Sequence, residues 1–166
     1  STPLATSTIS LPFIVAEPGE RFMVPVEIAQ SENLTIAGVE DFEVTLAFDP
    51  SIIQPVDLSS TSISGNGMMN LDLTGTIGAD TVGVLMEREF VAMLGPVEAT
   101  ALSIERFRWV NNFVRIFPVH GEVRLEICRE GGDRLFEDNG AIALEPNRPN
   151  PFNAETILNW RVIEHG

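Results

Sequence analysis

The feature that most constrains this chain is a two-residue alternation of apolar and polar side chains, interrupted at intervals of about 8–12 residues by Gly, Pro, Asn and Asp. The cleanest run is 41–48, where Phe42, Val44, Leu46 and Phe48 alternate with Asp41, Glu43, Thr45 and Ala47. Period two puts the first set on one face of a strand and the second on the other, the signature of a half-buried strand. A similar run follows the Pro18-Gly19-Glu20 turn, with Phe22, Val24, Val26 and Ile28 on one face. Pro25 falls on its opposite face and predicts an edge or a bulge there, because proline cannot donate to a ladder. Further strands are expected at 10–15 and near 52–58, 61–64, 69–77, 82–93, 100–110, 113–118 and 121–128, with a polar turn at 31–35. Gly65-Asn66-Gly67, Gly78-Ala79-Asp80, Gly95-Pro96 and Asn111-Asn112 supply the punctuation. Helix signals are nearly absent. The expected fold is all-β, two antiparallel sheets packed as a sandwich of jelly-roll type.

The pattern changes after Cys128. Arg129-Glu130-Gly131-Gly132-Asp133 reads as a flexible polar link, and Pro146, Pro149 and Pro151 favour extended, semi-rigid chain. A last alternating run, 156–163, places Leu158, Trp160 and Val162 on one face, next to Ile157. The expected division is a sandwich over 1–128, followed by an extended tail, 129–166, carrying one further strand. The chain starts at Ser1 without methionine, which predicts a removed leader or a segment cut from something longer.

Composition narrows the chemistry. Acidic side chains number 24 against 10 basic ones, a net charge of −14, and every basic residue is an arginine. So negative a surface disfavours nucleic acid and anionic lipid as partners. Without lysine there is no Schiff-base lysine and no phosphate-loop lysine. No stretch approaches the length of a membrane span. Cys128 is the lone cysteine and cannot form an internal disulfide.

Two stretches resemble known families. Pro18-Gly19-Glu20, then Val24-Pro25-Val26, then Asp41-Phe42-Glu43-Val44-Thr45-Leu46-Ala47-Phe48-Asp49-Pro50 leading into Ile52-Ile53-Gln54-Pro55-Val56, resembles the cohesin family. That family shows a Pro-Gly turn, a Val-Pro-Val strand and an aromatic-Asp-Pro turn before a short aliphatic strand. The runs 85–92 and 121–127 are similar to two of its later strands, so the likeness covers roughly 8–128. The resemblance implies a protein-attachment module that binds a dockerin-like partner through the outward side chains Asp41, Glu43 and Thr45. Many cohesins carry an Asn and an Asp where this chain has Asp41 and Glu43. The second stretch, Asn147-Arg148-Pro149-Asn150-Pro151-Phe152-Asn153 followed by Thr156-Ile157, resembles the opening of the C-terminal sorting domain of the type IX secretion system. It implies a secreted or surface-attached bacterial protein of a Bacteroidetes-like lineage.

Catalytic and metal chemistry find little support. His120 and His165 stand in no metal-ligand spacing, and His120 reads as a plain loop residue at Val119-His120-Gly121. Ser62-Ile63-Ser64-Gly65 is a strand running into a turn, not a nucleophile elbow. Glu87/Glu89 and Asp41/Glu43 share faces at strand spacing as a glycosidase pair does, but alternating strands place many carboxylates this way. Asp133 to Gly140 is acidic without the spacing of a calcium loop. Asn33-Leu34-Thr35 fits the N-glycan sequon and Asp80-Thr81-Val82 a bacterial O-glycan pattern. Trp109 and Trp160 sit in strand-like runs where burial is the default, so exposed platforms for sugars are scarce. The expectation is a non-enzymatic, extracellular attachment module without cofactor or metal. One alternative is a filament subunit joined to other copies of itself by exchange of the strand bearing Ile157, Leu158, Trp160 and Val162; a third is a carbohydrate-binding module.

Overall fold

In the computed structural model, the described residues are 4–127, together with the backbone of 142–144 and 160–162. The chain divides into two compact units, Ser1–Glu126 and Ile127–Gly166.

The first unit is a sandwich of two mixed sheets. Its strands are β1 (Thr6–Ser10), β2 (Phe13–Ala16), β3 (Arg21–Glu32), β4 (Asp41–Phe48), β5 (Ile53–Pro55), β6 (Thr61–Ile63), β7 (Met69–Thr76), β8 (Gly83–Ala92), β9 (Ala99–Trp109), β10 (Arg115–Val119) and β11 (Gly121–Leu125). One sheet runs β10-β1-β3-β8-β5 and the other β2-β11-β9-β4-β7-β6. The alternation does what the sequence demands: Phe42, Val44, Leu46 and Phe48 of β4 and Val24, Val26 and Ile28 of β3 are buried between the sheets. Phe48 and Phe90 meet edge to face at 5.2 Å, and Phe42, Phe107 and Trp109 form a second aromatic group with centroids 5.2–5.8 Å apart. The indole N–H of Trp109 donates to Ser7 Oγ at 3.1 Å, a buried bond between the sheets. After Phe48, Asp49 Oδ1 accepts from both the amide and the hydroxyl of Ser51, which makes the Asp-Pro reversal firm.

Several expectations are corrected. The run 10–15 is not one strand: Leu11 and Pro12 carry the chain from one sheet to the other, so β1 and β2 belong to different sheets. The C-terminal side does the same at His120, between β10 and β11. Because both crossings run in the same direction, β1–β10 and β2–β11 pair in parallel, and the sheets are mixed instead of wholly antiparallel. Gly121 is required at this double seam, since a Cβ there would lie 2.1 Å from the Pro12 carbonyl oxygen. The expected polar turn at 31–35 is the end of β3 and one turn of helix, α1 (Leu34–Ala37), held by burial of Leu34. At Pro25 both expected devices occur: β1 pairs with β3 only from Glu27 onward, and a register shift follows Val26 on the β8 side.

The second unit holds β12 (Ile142–Leu144) and β13 (Trp160–Val162), an antiparallel pair with Ile142 opposite Val162. The tail thus carries two described strands where one was expected. The partner strand at 142–144 is three residues long, too short for alternation to reveal it. Ile157 and Leu158 lie outside the described residues, as do Cys128, Asp133 to Gly140, the 147–153 signature and His165.

Candidate functional site

β4 is flanked by β9 on one side and β7 on the other, so its outward side chains occupy the middle of the six-stranded face. The register sets Glu43 opposite Arg108 and Thr45 opposite Arg106 on β9, and Asp41 opposite Thr76 and Thr45 opposite Asp72 on β7. Each of the three expected site residues is tied to a neighbouring strand. Thr76 Oγ1 donates to Asp41 Oδ1 at 2.8 Å, Arg108 Nε donates to Glu43 Oε2 at 2.7 Å, and Thr45 Oγ1 donates to Asp72 Oδ1 at 2.6 Å. Every carboxylate in this row keeps one oxygen outside these bonds. Arg108's hydrogen bond, reinforced by the charges of Arg108 and Arg106, holds the Glu43 carboxyl below the usual glutamate value of 4.5 against a smaller desolvation effect. The same pairing pushes the Arg108 guanidinium upward.

The support beneath is rigid. Phe42, Phe107 and Trp109 alternate with these outward residues and fill the space below them. Gly75 lies opposite Phe42, and a Cβ on it would fall 2.6 Å from Phe42 Cζ, so glycine leaves the room the ring occupies beside β7. On the outside lies a hollow lined by Asp41, Glu43, Thr74, Thr76 and Val110. Asp72, Thr74, Thr76, Arg106 and Arg108 were not singled out from sequence. The outward parity of Asp72, Thr74 and Thr76 is readable in the alternation of 69–77, but a bulge at Glu105 flips the faces of β9, so that of Arg106 and Arg108 is not continuous with 100–104, and apposition to β4 depends on register, which no single strand specifies.

Elsewhere the candidates resolve structurally. His120 is not a plain loop residue: its Nδ1 accepts the backbone N–H of Ile104 at 3.0 Å, just before β11 begins opposite Leu102. Asn33 donates its side-chain amide nitrogen, the atom a glycan would occupy, to the Leu4 carbonyl at 2.9 Å. Trp109 is buried and offers no sugar platform. Glu87 and Glu89 lie exposed on β8. Among the described residues no group of three or more His, Cys, Asp or Glu side chains is placed to hold a metal ion. Among them, too, no helix is long and apolar enough to cross a membrane.

Solved structures share this architecture. A type I cohesin from Clostridium thermocellum, solved as the Coh-OlpC–Doc435 complex, superposes with a TM-score of 0.52 at 13% identity over 76% of this chain and 97% of its own. The sixth cohesin of scaffoldin B from Acetivibrio cellulolyticus, in complex with a Cel5 dockerin, gives 0.51 at 15% identity over 73% and 99%. The third ScaC cohesin of the same organism, with the ScaB dockerin, gives 0.51 at 12% over 74% and 100%. The fold is that of a cohesin. No protein-family model matches the chain, and no curated protein matches it.

Proposed function

We propose that this chain is a non-enzymatic protein-attachment module of the cohesin type, working outside the cell, whose six-stranded face receives a dockerin-like partner at Asp41, Glu43 and Thr45. In this reading residues 1–128 are the binding module, and 129–166 form an appendage whose type IX-like signature serves export. The observation that carries the reading is the row of polar side chains on β4, Asp41 and Glu43 as acceptors and Thr45 as donor, each tied across the sheet and backed by buried aromatics. A site whose rotamers are fixed before contact loses less entropy on binding. The cohesin fold and the dockerin complexes of the structural neighbours point the same way. The test is charge reversal: with immobilised dockerin modules from the same genome as a panel, the double variant D41R/E43R loses capture by at least about 100-fold. Unchanged capture removes this face from consideration.

A second reading, a filament subunit joined through the tail strand that includes Trp160 and Val162, has one observation in its favour. The β12–β13 pair is a two-stranded sheet, so within it each strand has an unpaired edge. Filaments that vanish when residues 141–166 are removed would support it, and a monomer in both forms would exclude it.

A further inference from the structure

The four edges of the sandwich are not equally protected. β10 carries Pro118 and Arg115, β5 ends in Pro55, and β6 is a three-residue strand containing Thr61 and Ser62. Proline, charge and brevity are the usual guards of a sheet edge. β2, Phe-Ile-Val-Ala, is short too, at four residues, but carries neither proline nor charge within its span.

The backbone of β2 is also aimed outward in a definite way. Glu122 N–H donates to the Pro12 carbonyl at 3.1 Å and Glu126 N–H to the Ala16 carbonyl at 2.8 Å. By alternation, Pro12, Ile14 and Ala16 turn their backbone groups to β11, and Phe13 and Val15 turn theirs to the open side. The side chains of these same two residues stand on the solvent face, 62% and 49% exposed, whereas Ile14 packs inward. Opposite them on β11 lie Glu122, beside Phe13, and Arg124, beside Val15.

We infer that β2 is a self-pairing edge, taking the β2 strand of a second copy of this chain in antiparallel register about a two-fold axis through Ile14. In that register Phe13 faces Val15 of the other copy, and the outward backbone groups of both residues form four hydrogen bonds. The exposed phenyl ring of each copy covers the other's valine, an aromatic–β-branched pair favourable across strands. Each cross-sheet row then runs Glu122, Phe13, Val15, Arg124, so opposite charges end every row and the arrangement is self-complementary, as an isologous contact must be. Charge works against the pairing at long range, because each copy carries −14. The dimer therefore strengthens as salt screens that repulsion.

The experiment is sedimentation velocity on the full chain from about 1 µM to about 1 mM, in low salt and near 0.5 M salt. The unmodified chain dimerises reversibly, more tightly in high salt. V15K, which puts an ammonium on the solvent face of the edge, weakens association at least tenfold, as does V15P, which deletes one outward N–H and no ladder bond. S62K on the β6 edge leaves association unchanged. A monomer throughout the range overturns the inference. So does a dimer that V15K and V15P leave intact, and if S62K or removal of 141–166 abolishes it instead, the contact lies at that edge or in the tail.

Discussion

The two outer faces of the sandwich are built from the same alternation and carry similar numbers of charged side chains, yet they are organised differently. On the six-stranded face, Asp41, Glu43 and Thr45 are each bonded to a side chain of the next strand at 2.6–2.8 Å. On the five-stranded face, the outward acids of β8 meet one cation, Arg21 with Glu89 at 3.5 Å, and both side chains are largely exposed. Arginine number does not make the difference: Arg106, Arg108 and Arg124 line strands β9 and β11 of the first sheet, and Arg21, Arg88 and Arg115 lie on β3, β8 and β10 of the second. Outward charge is thus a poor guide to a binding face. What distinguishes one is whether the register across strands gives each charge a partner that fixes its direction, since loose surface ion pairs contribute little.

The largest expected effect comes from destroying the seam that both faces share. Gly121→Ala drives a methyl into the Pro12 carbonyl oxygen, and backbone on both sides leaves no flexible group to yield. Crowding of this kind costs about 3 kcal/mol. Thermal unfolding of the variant should show a strongly lowered Tm, with the β1–β2 and β10–β11 crossings losing amide protection together. A Tm within a degree or two of the parent would mean that the two sheets are not held at this corner.

A smaller change reaches one sheet alone. His120→Phe removes the acceptor from the Ile104 N–H and strands a buried donor, at a cost of about 1–3 kcal/mol. Hydrogen exchange should quicken at Ile104 and its β9 neighbours while the five-stranded sheet keeps its protection. His120→Gln, which retains an acceptor of similar reach, should recover part of the loss. Exchange that rises equally in both sheets would show that the bond serves the whole sandwich and not the face carrying β4.

The contrast between the faces also explains what was readable beforehand. Asp41, Glu43 and Thr45 were visible as an outward set because parity within one strand is a local property, and the buried Phe42, Val44 and Leu46 enforce it. Arg108, Thr76 and Asp72 were not, because a partner across a ladder depends on register between strands far apart in sequence, and β9 shifts register by a bulge between its contacts with Thr45 and Leu46. The break at Leu11-Pro12 is not legible in the sequence for a related reason. A strand crossing between sheets keeps its apolar residues, and only the pairing partners reveal that the sheet has changed. His120 looked like loop because a side chain standing in for a missing strand has no periodic signal at all.

The finest test of the comparison is a titration of its best-tied rung. Arg108's hydrogen bond favours the ionised form of Glu43, so the folded carboxyl lies below its ordinary value of 4.5. The sign follows directly. A depressed carboxyl binds its proton less readily when folded than when unfolded, so the rung is intact above the ordinary value and is lost as pH falls through the lowered one. Following the Glu43 side-chain carboxyl carbon by NMR should place its midpoint below that of an unpaired glutamate, and Arg108→Gln should move it upward. Arg21→Gln, which removes the loose pair of the opposite face, should leave the Glu43 curve where it was. Because Glu43 and Arg108 both reach solvent, the Tm itself should scarcely respond to Arg108→Gln. The pair's effect is then to fix the direction of a carboxylate and not to hold the fold, the property that separates this face from the other. A Glu43 midpoint at the ordinary value would reduce the two faces to equivalents and remove the physical basis for choosing between them.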